Sequence, residues 1–231
     1  MRPALCIVMP VLDEADTLAL RLRGLQQFRQ RGARLVVVDG GSADDTLAVA
    51  RAHADLALLA PRGRAAQMNA GAAACPADFL LFLHADTALP ENADALARRA
   101  TLGPFAWGRF DVRIDSARPL LRMVEGMMNL RSRWTGIATG DQAMFVRHDL
   151  FRSVGGFPEI ALMEDIALSR LLKRHGPPAC LRERVTTSAR RWEVDGVWRT
   201  ILLMWRLRAA YFLGADPERL ALQYGYRPRR S

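Results

Sequence analysis

Several acidic side chains in this chain stand just after apolar runs, and one pair combines an acid with an imidazole. Phe79-Leu80-Leu81-Phe82-Leu83 follows Asp78 and leads into His84-Ala85-Asp86-Thr87. Five apolar residues in a row read as a short strand buried on both faces. On extended chain, residues two apart point to the same side, so His84 and Asp86 can act together. A carboxylate there could hold Mg²⁺ or Mn²⁺, which prefer oxygen ligands, against a phosphate oxygen. The alternative is that Asp86 and Thr87 cap a turn before a helix starting near Pro90 and Glu91. Asp13 and Glu14 follow a first apolar run (4–11), and Asp39 follows a second (35–38). Glu164-Asp165 opens a helical stretch, where acids in the first turn also suit the helix dipole.

The elements that must position these groups alternate. The run at 4–11 is followed by Leu18, Leu22 and Leu25, spaced for one helix face, and the β-branched run at 35–38 prefers strand. Strand, turn and helix then repeat around 56–59, 64–74 and the Phe79 strand. Alternation with helices of this length implies a parallel sheet. In such sheets ligands bind beyond the carboxyl ends of the strands, so acids scattered in sequence can become neighbours. No GxGxxG follows the first strand and no GxxxxGK[ST] occurs, which argues against a dinucleotide-binding dehydrogenase and a P-loop kinase.

Past residue 102 the pattern changes. Residues 105–114 read as a strand and 120–130 as a Met-rich helix, able to line an acceptor site or to pack as ordinary core. The Gly-punctuated stretch Trp134-Thr135-Gly136-Ile137-Ala138-Thr139-Gly140-Asp141-Gln142 suits a loop over a reacting centre. A strand at 143–146 and a helix from Arg147-His148-Asp149 follow. The chain thus divides into 1–192, with a nucleotide-binding half (1–101) and a second half (102–192), and a basic amphipathic tail (193–231).

Half of the 231 residues are hydrophobic and a quarter charged, as in ordinary globular proteins. The charge is unevenly placed. Residues 1–115 are neutral overall, while 116–231 hold 20 Lys+Arg against 11 Asp+Glu and supply the whole +9. A basic C-terminal part facing an anion is expected, whether phosphate or membrane surface. Nucleic acid is not expected, since no recognition motif accompanies the basic residues. Cys6, Cys75 and Cys180 match no zinc spacing and read as reduced core residues of a cytoplasmic protein. Met1-Arg2-Pro3 begins no secretion signal, and the apolar stretch at 201–214 is too short to span a bilayer. Two readings stand for 197–213, which has apolar residues at helical spacing with Arg199, Arg206 and Arg208 interspersed. It lies on anionic lipid at the inner face of the cell membrane together with Arg227, Arg229 and Arg230, or it packs on the catalytic domain with its arginines reaching outward.

Four motifs follow one another in the first half: Ile7-Val8-Met9-Pro10-Val11-Leu12-Asp13-Glu14, Val37-Val38-Asp39-Gly40-Gly41-Ser42, Gly63-Arg64-Ala65-Ala66-Gln67-Met68-Asn69-Ala70-Gly71 and Leu83-His84-Ala85-Asp86-Thr87. Gly155-Gly156-Phe157, Met163-Glu164-Asp165-Ile166 and Ala189-Arg190-Arg191-Trp192 continue the pattern. Taken in order, they resemble the motifs of inverting family-2 glycosyltransferases with the GT-A fold, which would make 102–192 the acceptor half. Within that family the chain is most similar to small bacterial enzymes of arsenosugar or carotenoid-acid glycosylation. The resemblance implies an α/β fold, a Rossmann-like, mostly parallel sheet flanked by helices with a C-terminal helical extension on the acceptor side.

It also implies roles. Asp39 would accept a hydrogen bond from the nucleotide base, most often uracil, with Pro10, Val11 and Glu14 lining the base and ribose pocket. Arg64 would neutralise diphosphate charge. His84-Ala85-Asp86 occupies the place of the family's Asp-x-Asp metal motif with its first acid replaced by His. Asp86 would therefore touch Mg²⁺ or Mn²⁺, and His84 would serve the ribose or support the site. Gly140, Asp141 and Gln142 would lie on the acceptor and diphosphate side. Asp165 would be the catalytic base, with Glu164 the alternate. Arg191 and Trp192 match the end of a motif whose Gln is missing here, and would face diphosphate and acceptor. The implied reaction moves a sugar from a nucleoside-diphosphate sugar, a UDP-sugar first, to a hydroxyl on a small-molecule or lipid-linked acceptor, with inversion. The rival readings are a sugar-phosphate nucleotidyltransferase, whose Gly-rich, Arg-containing first loop is absent, and a non-catalytic sugar-nucleotide or membrane-binding module.

Overall fold

Apolar runs with β-branched residues alternate with amphipathic stretches through the first half, and the chain folds accordingly. The computed structural model describes residues 3–226; Arg227, Arg229 and Arg230, expected to reach toward lipid, lie outside the described residues, as does the Met1-Arg2 start. In order come β1 (Leu5–Val11), α1 (Ala15–Gly24), α2 (Gln26–Gln30), β2 (Arg34–Asp39), α3 (Thr46–His53), β3 (Leu56–Leu59), α4 (Arg64–Ala73), β4 (Phe79–Phe82), β5 (Thr87–Ala88) and α5 (Ala93–Leu102). The second half continues with β6 (Trp107–Asp115), α6 (Pro119–Thr135), β7 (Phe145–Arg147), α7 (His148–Ser153), α8 (Glu164–Leu172) and β8 (Ala179–Ser188). It closes with α9 (Arg190–Asp195), α10 (Val197–Phe212) and α11 (Pro217–Tyr224).

The strands form one eight-stranded sheet in the order β3-β2-β1-β4-β7-β6-β8-β5. Its first four strands are parallel, as the alternation requires. Beyond β4 the sheet is mixed: β7 runs antiparallel to both β4 and β6, β8 is parallel to β6, and β5 is antiparallel to β8. Side chains alternate between two buried faces. Ile7, Met9, Leu35, Val37 and Leu81 pack with Leu18, Leu22 and Phe28 on one side. Cys6, Val8, Val36, Val38, Leu80 and Phe82 pack with Met68, Ala72, Leu168 and Leu172 on the other. This period of two is what a sheet covered on both faces demands. The approach of α4 depends on Gly71, where a Cβ would run into Val8 and Val38.

The cysteine expectation needs correction. Cys6 and Cys75 are joined by a disulfide, and only Cys180 is free. Cys6 points from β1 to the face that α4 covers, and the chain leaving α4 brings Cys75 over it, with the two Cα atoms 6.4 Å apart. The inference of a reducing compartment from three core thiols falls with that pairing.

The C-terminal helices do not stand apart. Leu207 of α10 and Leu220 and Ala221 of α11 form a cluster with Ile137, Leu162, Met163 and Ile166. The segment after α11 returns to the start of α4, where the Tyr226 hydroxyl donates to the Arg62 carbonyl at 3.3 Å. No helix among the described residues is long and apolar enough to cross a membrane.

Candidate active site

Register places the strand-end residues side by side. Val11 pairs with Asp39 across β1 and β2, and Val8 with Phe82 across β1 and β4. The Leu83 amide then donates to the Val8 carbonyl at 3.0 Å, extending β4 toward His84. The ends of β2, at Asp39, and of β4, before His84, therefore face the same side of the sheet, two strands apart.

At the ends of β1 and β2, Pro10 and Val11 are buried in β1. Asp39 is 1% exposed. Its Oδ1 accepts from the Gly41 amide (2.9 Å), the Ser42 amide (2.8 Å) and the Ser42 hydroxyl (2.8 Å), so one oxygen is engaged in shaping the turn. Gln67, a motif residue with no role assigned from sequence, ties this end together. Its Nε2 donates to the carbonyls of Val11 and Val38, both at 2.8 Å, bridging the ends of β1 and β2. Asn69 of the same motif clamps the glycine turn, donating to the Phe157 carbonyl and accepting from its amide, each at 2.9 Å. Glu14 precedes α1 and faces Arg190 across the edge at 3.7 Å.

A cleft with about 500 Å³ of empty space, open to solvent, is lined by Arg64, His84, Thr139, Gly140, Asp141, Glu164, Asp165, Met204, Arg208 and Tyr224, among others. Each wall has a local reason. Arg64 starts α4 behind Gly63, whose φ of 146° only glycine tolerates readily. Gly140 lets the His84 ring pack against backbone, since a Cβ would collide with the imidazole. His84 Nδ1 lies 3.4 Å from Asp141 Oδ1. Asp165 accepts from the Gly140 amide at 2.9 Å through Oδ2 and from the Ile166 amide at 2.7 Å through Oδ1. It thus pins the loop before β7 to the start of α8. Met163, just before the two acids, holds a left-handed backbone at φ 70°, a strain that clusters at functional sites.

Opposed charges shape the cleft. Packing of the walls works against the Arg64 charge, but Glu164, Asp141 and Asp165 outweigh it and hold the guanidinium pKa above its usual value. Desolvation by the cleft walls would raise Asp141, whose side chain is still 45% exposed, yet the His84 contact and the charges of His84, Arg64 and Arg208 keep it below the usual carboxylate range. Burial and the neighbouring Asp165 push Glu164, 5% exposed, up to about 6. Burial, and Arg208 close by, bring Arg131 of α6 down to about 10. Nε and Nη2 of Arg131 and Nε of Arg208 are buried without a hydrogen-bond partner. Such nitrogens are groups that an anion could satisfy.

A carboxyl whose pKa is raised by folding binds more protons in the folded state, so its contribution to stability falls as pH rises from its unfolded value toward about 6. Glu164→Gln should remove that loss. Urea melts at about pH 5 and about pH 7 should show wild type losing stability relative to the variant at the higher pH. An equal difference at both values would refute the shift.

The sequence-assigned residues separate into groups. Arg64, His84, Gly140, Asp141, Glu164 and Asp165 share the cleft. Pro10, Val11, Glu14 and Asp39 lie at the ends of β1 and β2 and do not line it. Asp86 lies in the turn after β4, its Oδ1 accepting from the Thr87 hydroxyl at 3.2 Å; it does not line the cleft, and neither does Ala85, which is buried. Gln142 is fully buried and accepts from the Thr139 amide at 3.2 Å, bracing the loop from inside. Arg191 turns to α11, donating to the Tyr224 carbonyl at 2.9 Å and stacking 3.6 Å over its ring. Trp192 packs with Ile114, Leu121 and Val124. Tyr224, Met204 and Arg208, which reach the cleft from the tail, carried no signal beyond an amphipathic pattern.

A parallel half-sheet with an acid- and arginine-lined cleft at its carboxyl edge, extended by a mixed half, is the GT-A glycosyltransferase architecture. The family described as glycosyl transferase family 2 matches residues 6–150, and the chain belongs to that family. A PGL/p-HBAD biosynthesis glycosyltransferase of Mycobacterium bovis is 31% identical over 175 residues, covering 67% of this chain and 63% of the relative. A Mycobacterium tuberculosis protein of the same description matches to the same extent. The chain thus spans under two thirds of the length of these relatives.

Two solved structures share the fold. The Pyrobaculum calidifontis mannosyltransferase PcManGT, in complex with GDP-Man and Mn²⁺, has a TM-score of 0.65 at 19% identity, covering 98% of this chain and 70% of that one. Staphylococcus aureus TarS 1–349 in complex with UDP-GlcNAc has a TM-score of 0.66 at 17% identity, covering 81% and 58%.

Proposed function

We propose that this chain transfers a sugar from a nucleoside-diphosphate sugar, with UDP-sugars the first candidates, to an acceptor hydroxyl with inversion at the anomeric carbon. The observation that carries this reading is the convergence of Arg64, Asp141, Glu164 and Asp165 in one cleft with His84, which follows the end of β4. The base and ribose would lie along Pro10, Val11, Glu14 and Asp39, with Asp39 contributing the oxygen not used in its turn. Arg64 would face the diphosphate, with Arg208 adding positive charge from the opposite wall. Asp165 would take the proton from the acceptor hydroxyl as that oxygen bonds to the anomeric carbon and the sugar–phosphate bond breaks. The freed electron pair would go to the departing diphosphate, whose charge the two arginines offset. The mycobacterial relatives described as glycosyltransferases, and the structural neighbours in complex with GDP-Man or UDP-GlcNAc, support this reading over a nucleotidyltransferase.

A divalent ion here would need ligands from the nucleotide, because Asp86 lies in the turn after β4 and does not itself line the cleft. Among the described residues no three His, Cys, Asp or Glu side chains are grouped to hold a metal. Asp86, aided by His84, would be the protein's share, diphosphate oxygens and water completing the shell as is usual for Mg²⁺. When bound, Mg²⁺ or Mn²⁺ would supply electrostatic stabilisation of the leaving diphosphate.

Thermal melts of the purified chain with UDP, GDP and their sugars, each with and without Mn²⁺, test the reading, because a ligand that binds the folded state raises its melting temperature. UDP and Mn²⁺ together should stabilise the protein more than either alone, and Asp86→Ala should abolish the Mn²⁺-dependent part. Absence of stabilisation by any of these nucleotides would overturn the donor assignment. An unchanged Mn²⁺ effect in the variant would remove Asp86 from the metal site.

A further inference from the structure

Two neighbouring helices of the acceptor half leave apolar stripes in solvent. On α10, Trp198, Leu202, Trp205 and Phe212 are exposed, spaced by four, three and seven residues and so lying along one helix face. On α6, Leu130 and Trp134 continue a similar stripe from Met123 and Met127. The opposite sides of both helices are occupied: Leu121 and Val124 of α6 pack against Val197 and Ile201 of α10, and Leu207 faces the cluster below the cleft. Three tryptophans at 81%, 63% and 57% exposure on two packed helices exceed what scattered surface residues explain.

The charges on these helices have one sign. Arg122, Arg131, Arg133, Arg199, Arg206 and Arg208 stand against a single acid, Glu125, which is buried. Arg199 and Arg206 are exposed beside the α10 stripe. A second copy of this chain docked symmetrically would bring those arginines against their own images. An interface with apolar depth and negative charge at its rim avoids that conflict. Indole rings sit well at the boundary of headgroup and acyl chain, and arginines reach up to anionic headgroups. Since no described helix can cross a bilayer, α10 would lie along it.

We infer that the exposed face of α10, flanked by α6, docks on the surface of an anionic lipid membrane. The same helix contributes Met204 and Arg208 to the cleft, so docking would hold the reacting centre beside the membrane. Resting on the proposed transfer reaction, this favours an acceptor hydroxyl presented by an amphiphile at that surface.

Vesicle co-sedimentation tests docking without reference to the reaction. Wild-type protein should bind phosphatidylcholine vesicles enriched in phosphatidylglycerol and blue-shift its tryptophan emission, and should bind pure phosphatidylcholine far less. The Trp198→Ser/Trp205→Ser variant should weaken binding by about tenfold or more. Arg199→Glu/Arg206→Glu, both exposed and remote from the core, should do the same and keeps the test decisive if the first variant folds poorly by circular dichroism. High salt should weaken the wild-type interaction. Binding unaffected by the folded variants would overturn the inference. So would no vesicle binding, including the case where the tryptophan variant instead dissociates a dimer or releases a protein partner. None of these outcomes bears on nucleotide-dependent stabilisation, which tests the reaction separately.

Discussion

Asp165→Asn should leave nucleotide binding nearly intact while lowering the rate of sugar transfer by about 10²–10⁴-fold, the usual worth of a positioned general base. The amide keeps the size of the side chain and one acceptor oxygen, so a bond to the Gly140 or Ile166 amide survives. What it lacks is basicity toward the acceptor hydroxyl. Single-turnover transfer measured beside UDP affinity separates the two effects, because loss of a merely structural contact would weaken both. Transfer at the wild-type rate would move the assignment elsewhere, and Glu164, on the same cleft wall, would be the next residue to vary.

Asp111→Ala should be the most destabilising single substitution outside the cleft, by about 3–5 kcal/mol. Arg109 is fully buried and pairs with Asp111, whose other oxygen lies 2.6 Å from Arg133. Arg109 also donates to the Asn129 carbonyl at 3.2 Å, and its Nε has no partner. Removing the acid leaves a buried guanidinium without its counter-charge, a far larger cost than losing an exposed ion pair. For a chain of this length the melting temperature should fall by roughly 10 °C. Arg109→Met combined with Asp111→Leu should recover much of the loss. A drop below about 1 kcal/mol in urea melts would show that the pair contributes little. The network also reaches toward the cleft. Asn129 bonds β6 through the Val112 amide and carbonyl, and its Oδ1 is 3.5 Å from Gln142 Nε2 in the loop that carries Gly140. Some loss of transfer should therefore accompany the loss of stability.

The strands β1, β2 and β4 and most helices were legible because burial on both faces leaves a plain mark: apolar runs of at least four residues, closed by Asp13, Asp39 and His84. Strand β8, with Arg182, Glu183 and Arg184 exposed in its middle, left no such mark. The six cleft residues assigned from sequence sit at motif positions where a strand or helix begins or ends. Local chemistry restricts such positions, so they stand out in the chain. Gln142, Arg191 and Trp192 show where this stops. Gln142 adjoins the cleft residue Asp141 and Arg191 and Trp192 end a motif, yet rotation about each element turns them inward or toward α11.

Sequence by itself determined the alternating core, the parallel half of the sheet and the edge where its acids gather, since hydrophobic periodicity and strand-end chemistry are local properties. Tertiary structure alone decided that Cys6 meets Cys75, that Gln67 joins two strand ends, and that Tyr224 and Arg208 close the cleft from the far end of the chain. It also decided which side of α10 is left in solvent. Those outcomes depend on how separate elements are rotated and stacked, and no single segment encodes the face its neighbour will cover.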